Sequence, residues 1–442
     1  MNSLNPNINK LAIKIMEEGP DLSTDTDIAN VPKGQPAVEH KLETDDIVTV
    51  WGPPGTGKTY TMAKIANSYI AQGKSVLIVS HSNVSVDGVI KQVVKMLGTD
   101  KQSILEDGKI LRFGYVRDDG LSQNPYATSF NYALSKCDSY ARQLEHLMAK
   151  RDELRAKNQM KSKEYDEVEH KIKEIRGEIR KEERKYVERA QVIGTTISRA
   201  TIDPMFEERQ FDLVMFDEVS MAYVPQVIAA AALAKEKFMC VGDFRQLAPI
   251  SQSPDSRVLQ VDIFSYLQIV DGKGNMYWHP WLVMLNEQRR MAPAISEFSS
   301  KFIYNRLLKD NAEVINGKKK RDNDLVIKSA PLPGDALNLI DLAGTYCAAN
   351  KNTDGSRFNI LSAVISFSTA VKAEQNHIKT VGIITPYAAQ VRLIRAMLKD
   401  YYTKGTTNVS CATVHQFQGS ESDVIVFDAV ESYPKSAVGY LM

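Results

Sequence analysis

Residues 52–59 read Gly-Pro-Pro-Gly-Thr-Gly-Lys-Thr and directly follow the apolar run Ile47-Val48-Thr49-Val50-Trp51. A buried strand that opens into a glycine-rich loop ending in Lys-Thr predicts a phosphate-binding loop and a helix behind it. Gly52, Pro53, Pro54, Gly55, Thr56 and Gly57 form the loop, and its glycines let backbone N–H groups turn inward around a β-phosphate. Lys58 can reach the β- and γ-oxygens, and the Thr59 hydroxyl can ligate Mg²⁺ at the helix N-terminus. A plain glycine turn between strand and helix does not require Lys-Thr at these offsets, so the expectation is a nucleoside triphosphate site.

The 442 residues are long enough for about three domains and a sizeable core. With 43% hydrophobic and 25% charged residues the composition is that of an ordinary globular protein. A formal net charge of +1 argues neither for nor against a nucleic-acid partner, because a local basic groove can exist on a neutral chain. Nothing approaches an apolar span of about 20 residues, and Leu11–Met16 is broken by Lys14, so neither a membrane span nor a signal peptide is expected. Cys137, Cys240, Cys347 and Cys411 show neither zinc spacing nor a disulfide framework. The compartment expected is the cytoplasm or another reducing space.

From Ile47 onward strands alternate with helix-forming sequence. Val76–Ser80, Phe211–Phe216 and Phe238–Val241 read as further short buried strands, and Thr380–Ile384 and Ser422–Phe427 as a second set with the helical stretch Ala388–Lys399 between them. Such alternation implies parallel sheets covered by helices, in two α/β lobes. Between the strands near Val79 and Met215, the charge-rich segment Tyr140–Val187 carries apolar residues at Tyr165, Val168, Ile172, Ile175 and Ile179, with a similar seam at Tyr140, Leu144, Leu147 and Leu154. An antiparallel helical hairpin with Lys157–Lys163 at its turn satisfies both stripes. It is either a solvated spacer or an arm positioning a small nucleic-acid-contacting subdomain within Lys101–Ser135.

Phe211–Phe216 runs into Asp217-Glu218, two carboxylates at the end of a strand, where open α/β sheets place ligands. Asp217 is placed to hold Mg²⁺ through water and Glu218 to orient and deprotonate the attacking water. After the strand at Phe238–Val241, Gln246 can bond both the γ-phosphate and that water. Arg289-Arg290, at the start of the second lobe, can supply a cation to the transferring phosphoryl group or be a solvated pair.

The order of Gly-Pro-Pro-Gly-Thr-Gly-Lys-Thr, Ser82-Asn83-Val84-Ser85-Val86-Asp87, Thr195-Thr196, Asp217-Glu218-Val219-Ser220, Gly242-Asp243-x-x-Gln246-Leu247, Gln288-x-Arg290-Met291, Thr385-Pro386-Tyr387-x-x-Gln390 and Val414-x-x-Phe417-Gln418-Gly419-x-Glu421 resembles the superfamily 1B helicases. It is most similar to the group containing senataxin and the helicase of nonsense-mediated mRNA decay. The resemblance covers about Gln35 to the C-terminus. It implies an ATPase of two RecA-like P-loop lobes, with ATP and Mg²⁺ bound between them and single-stranded DNA or RNA as partner, moving 5′ to 3′. The domains it implies are an N-terminal segment 1–34, lobe 1 over 35–100 and 190–281, an inserted subdomain with a coiled-coil stalk over 101–189, and lobe 2 over 282–442. The hairpin resembles the family's stalk, which carries a small β-barrel.

By the same resemblance, Gln35 reads the adenine edge, Gln288 and Arg289 belong to the nucleotide site, Arg290 faces the γ-phosphate and Glu421 contacts the ribose. Ser82, Asn83, Thr195, Thr196, Pro386, Tyr387 and Thr413 line the single-strand channel. Three positions depart from the pattern. Arg289 stands where the family usually has an aromatic residue against the adenine, and a guanidinium plane can stack there. His415 replaces a more usual acidic residue. The chain ends at Met442, before a final block that supplies a second arginine, so either it is a fragment or Arg290 serves alone. The reading adopted is a single-strand translocase or helicase. The alternatives are an ATP-dependent switch that binds strand without unwinding, and a structural adaptor that recruits a protein partner through the hairpin. DNA and RNA are not distinguished by any motif.

Overall fold

The computed structural model describes residues 9–17, 27–98, 102–207, 209–251, 257–403 and 407–431. The chain divides into two compact units, Met1–Asn286 and Glu287–Met442. The first is built on seven strands: β1 Ile47–Trp51, β2 Val76–Ser80, β3 Ile110–Arg112, β4 Val192–Thr196, β5 Phe211–Asp217, β6 Ala234–Gly242 and β7 Leu282–Met284. All pair in parallel, in the order β3-β4-β2-β5-β6-β1-β7. Every residue of β1 and β2 is buried, as expected of strands covered by helices on both faces.

Three expectations change and a fourth lies outside the described residues. The unit boundary falls after Asn286 rather than at 281, because Leu282–Met284 pairs with Thr49–Trp51 and closes the edge of the first sheet. β6 starts at Ala234, ahead of its apolar half, and its polar opening Lys235-Glu236-Lys237 hides it from hydrophobic patterning. The segment within Lys101–Ser135 is not a separate barrel. Among the described residues its one strand, β3, pairs with β4 through Ile110↔Val192 and Arg112↔Gly194, and the rest includes the helices Gln102–Glu106, Asp119–Gln123 and Ser129–Ser135. The expectation about a final block falls after residue 431, outside the described residues.

The segment Tyr140–Val187 lies in two helices. Helices Asp138–Ala156 and Lys163–Arg189 pack together, with Leu144, Leu154, Val168, Ile172 and Ile179 buried along the seam and Tyr140, Leu147, Tyr165 and Ile175 flanking them. Ser162 caps the second helix by accepting the Tyr165 amide at 3.1 Å. At the root, Ser129 donates its hydroxyl to the buried Glu183, whose carboxyl is pushed above its ordinary value by burial. Arg209 donates to the carbonyls of Val187 at 2.6 Å and Ala190 at 2.5 Å, which fastens the hairpin's exit to the first unit.

The second unit holds the short pairs β8 Glu287–Gln288 with β9 Lys309–Asp310 and β10 Asn350–Lys351 with β11 Arg357–Phe358. Its main sheet is parallel: β12 Val381–Thr385 lies between β13 Val409–Thr413 and β14 Val424–Phe427. Helices Ile360–Gln375 and Ala388–Tyr401 bury Ala363, Ala370, Ile394 and Leu398 with Ile383, Val409 and Cys411. Both β12 and β14 begin later than hydrophobicity suggests. Thr380 and Asp423 clasp each other ahead of the strands, with the Thr380 hydroxyl donating to Asp423 and accepting its amide, both at 3.0 Å. Gly382 is required by a close approach: a Cβ there would lie 2.7 Å from the Phe417 ring. Among the described residues no helix is long and apolar enough to cross a membrane, and the four cysteines are free.

Candidate active site at the carboxyl edge of the first sheet

In a parallel sheet every strand delivers its last residue to the same edge. Here that edge aligns Trp51 with Gly242, and Ser80 with both Asp217 and Thr196. The phosphate loop leaves β1 with the Gly52 amide donating to the Gly242 carbonyl at 2.8 Å. Gly55 and Gly57 take left-handed backbone, at φ 75° and 84°, and Gly57 caps the helix Lys58–Ala71. Thr56 closes the loop by donating its hydroxyl to the Pro53 carbonyl at 2.7 Å. Lys58 donates to the Gly52 carbonyl at 2.8 Å, and a Cβ on Gly52 would lie 2.4 Å from Lys58 Cγ. Any larger residue at 52 therefore drives the lysine stem off the loop. Gln35 opens the helix Gln35–Thr44 beside β7, and its buried Nε2 has no partner among the described residues.

Asp217 is the last residue of β5 and is buried. Burial, and then the neighbouring Glu218 charge, push its carboxyl up to about 7, against the pull of the Ser85 hydroxyl and Lys58. Oδ2 accepts from Ser85, while Oδ1 has no partner among the described residues. One hydroxyl at Thr59 and one open carboxylate oxygen fit Mg²⁺, which takes few protein ligands and keeps its waters. Glu218 turns the chain out of the strand with left-handed backbone at φ 53°, and its Oε2 is buried without a partner among the described residues. A non-glycine residue held there is strained, by about 1–3 kcal/mol, as often found at functional positions.

Asp243 organises the next loop: it accepts from the Trp51 indole at 3.0 Å, the Arg245 amide at 3.1 Å and Gln246 Nε2 at 2.9 Å. It thus fixes Gln246 to the strand that carries the phosphate loop. Motif spacing alone gives Asp243 no role, because its partners lie on another strand and in the following loop.

On the other half of the edge, Ser82 caps the helix Asn83–Leu97 by accepting the Ser85 amide at 3.1 Å. Asn83 Oδ1 accepts from Arg112 Nη2 at 2.8 Å. Arg112 is wholly buried and also donates to Asp87 at 2.6 Å and to the Tyr115 carbonyl at 2.6 Å. Burial holds its guanidinium below the ordinary value, with Asp87 opposing. Of the two threonines ending β4, Thr195 is fully buried and only Thr196 reaches the edge. Alternation along the strand turns Thr195 inward, which removes it from a strand-contacting surface.

In the second unit, Gln288 accepts the amides of Arg290 and Met291, each at 2.8 Å, and donates to the Met291 carbonyl at 3.0 Å and to Asp310 at 2.5 Å. Both ends of its amide are spent on shaping its own loop. That loop presents Arg289, exposed and 3.7 Å from Glu287, and Arg290, which pairs with Glu421 at 2.5 Å. Tyr387 is buried, its hydroxyl bonds to Glu431, and Arg357 lies over its ring at 5.7 Å while bonding the same carboxylate. Pro386 and Thr413 remain half-buried at the carboxyl ends of β12 and β13. Both polar atoms of the Gln418 amide are buried without a partner among the described residues.

Two AAA-domain family models match the chain, one over residues 33–254 and one over residues 275–442. The chain is 27% identical over 427 residues to "DNA polymerase alpha-associated DNA helicase A" of Schizosaccharomyces pombe, covering 92% of this chain and 59% of that protein. It is 25% identical over 411 residues to "Regulator of nonsense transcripts 1 homolog" of Arabidopsis thaliana, covering 89% of this chain and 29% of the relative. To "Helicase sen1" of Schizosaccharomyces pombe it is 23% identical over 482 residues, covering 93% and 28% respectively.

Proposed function

We propose that this chain, which belongs to the AAA-domain family of superfamily 1 helicases, hydrolyses ATP to move along single-stranded nucleic acid, DNA or RNA, in the 5′ to 3′ direction. The observation that carries the reading is the single sheet edge of the first unit, where Lys58, Asp217, Glu218 and Gln246 share a border with Ser82, Asn83 and Thr196. Because the chain spans 59% of the first relative's length, the activity is proposed for the region it covers.

In this reading residues 52–59 cradle the phosphates and Gln35 pairs with the adenine edge through its partnerless Nε2. Thr59 and Asp217 would hold Mg²⁺, which would supply positive charge against that developing on the phosphates. Glu218 takes the proton of the attacking water, and Gln246, steadied by Asp243, orients that water. Arg290 serves as the counter-charge to the transferring phosphoryl group, Glu421 contacts the ribose and Arg289 lies against the base. Arg290 and Glu421 are paired with each other, so each must leave the other to act. Ser82, Asn83, Thr196, Pro386 and Thr413 contact the strand.

Unwinding of duplexes with a 5′ or a 3′ single-stranded tail, of DNA and of RNA, tests this directly. The expected result is ATP-dependent unwinding from the 5′ tail, lost in Lys58→Ala. Strand binding and hydrolysis without unwinding would move the protein to the switch reading. We assign the hairpin's charged outer face to a protein partner, since its apolar residues are spent on the seam between its two helices and on the helix Ser129–Ser135 at its root. Replacing residues 145–178 by a short loop is therefore expected to leave unwinding intact; loss of unwinding would make the hairpin part of the strand path. The free cysteines support a reducing compartment such as the cytoplasm, which cell fractionation checks.

A further inference from the structure

The helix Asn83–Leu97 touches both halves of the sheet edge. On the strand side its first turn is fixed twice by Arg112, through Asn83 at 2.8 Å and through Asp87 at 2.6 Å. The far oxygen of Asp87 accepts the amides of Arg117 at 2.6 Å and Asp118 at 3.1 Å, so the turn has little freedom to rotate alone. On the nucleotide side, the Ser85 hydroxyl of the same turn donates to Oδ2 of Asp217. Asp217 is buried at the end of β5, and its other oxygen has no partner among the described residues. Ser85 thus decides which carboxylate oxygen is held by the helix and which is left for the metal. Its backbone amide is bonded to Ser82, so one residue is joined to the strand-side cap by its main chain and to the metal-side carboxylate by its side chain.

We propose that Ser85 is a positioning residue that couples strand occupancy at Ser82 and Asn83 to the orientation of Asp217 in the nucleotide site. The inference rests on the proposed reading of that site. A strand phosphate seated on the first turn shifts the turn as a body, because Arg112 ties its residues together. The Ser85 hydroxyl carries the shift to Asp217. Linkage makes the effect reciprocal: a bound Mg²⁺–nucleotide that takes Asp217 alters strand affinity by the same factor that strand alters nucleotide affinity.

The test is strand affinity, read by anisotropy of a labelled single-stranded oligonucleotide, with and without a Mg²⁺-bound non-hydrolysable ATP analogue. In the parent the two affinities are expected to differ by about 5–150-fold, the usual range of allosteric coupling. Ser85→Ala should bring the ratio close to one while the nucleotide-free affinity stays within about twofold, since alanine suits a helix and leaves the backbone cap in place. Ser85→Thr, which keeps the hydroxyl, should retain the parental ratio. A Ser85→Ala ratio equal to the parent's overturns the inference and leaves the site reading standing, as does a parent that binds both ligands with no coupling. A parent that binds neither ligand overturns the site reading and this inference with it.

Discussion

Glu218→Gln is expected to bind ATP as the parent does and to hydrolyse it about 10²–10⁴ times more slowly, the usual cost of losing a general base. The substitution keeps the size of the side chain and removes only its ability to take a proton. The strained backbone at Glu218 and its buried, partnerless Oε2 show a side chain held in place by the fold rather than by a hydrogen-bond partner. Amide nitrogen in place of that oxygen meets no established bond, so the change falls on chemistry and not on folding. Fluorescent-nucleotide binding together with phosphate release separates the two effects. Parental turnover in Glu218→Gln would reassign the base.

The second large effect is on stability. Arg112→Leu leaves the buried carboxylate of Asp87 without its cation and strips the donors from Asn83 and the Tyr115 carbonyl. Removing one partner of a buried ion pair typically costs about 3–5 kcal/mol, because the remaining charge stays desolvated. Urea unfolding of the first unit's transition is the measurement. The double variant Arg112→Leu with Asp87→Leu should recover much of the loss, since replacing both partners by apolar residues is often near neutral. A double variant as unstable as Arg112→Leu alone would show that bonds to the backbone, from the guanidinium to carbonyls and from the Arg117 and Asp118 amides to Asp87, hold the edge together rather than the pairing.

The parts of the site legible in the sequence are those carried by one unbroken run. The phosphate loop and the Asp217-Glu218 pair each combine an apolar strand with chemistry at its very end, so periodicity and composition locate them together. The apolar seam of Tyr140–Val187 likewise repeats along the segment itself. What was not legible depends on partners distant in the chain. β3 is three residues long and ends in an arginine, and only its pairing with β4 and the ion pair to Asp87 make it a strand with a buried charge. Motif membership placed Thr195, Tyr387 and Gln288 at ligand surfaces, yet strand alternation, the Arg357–Glu431 cluster and the Asp310 carboxylate turn each of them inward. The pairing of Arg290 with Glu421 links two positions that the sequence separates by the whole of the second sheet's first two strands.

The central claim is that one sheet edge joins ATP chemistry to a single strand, and the measurement that tests it most directly is steady-state ATP turnover with and without a saturating single-stranded oligonucleotide. Turnover is predicted to rise several-fold with strand and to fall back in Glu218→Gln with strand present. A turnover that is brisk, dependent on Lys58 and indifferent to DNA and RNA strands alike would contradict the account.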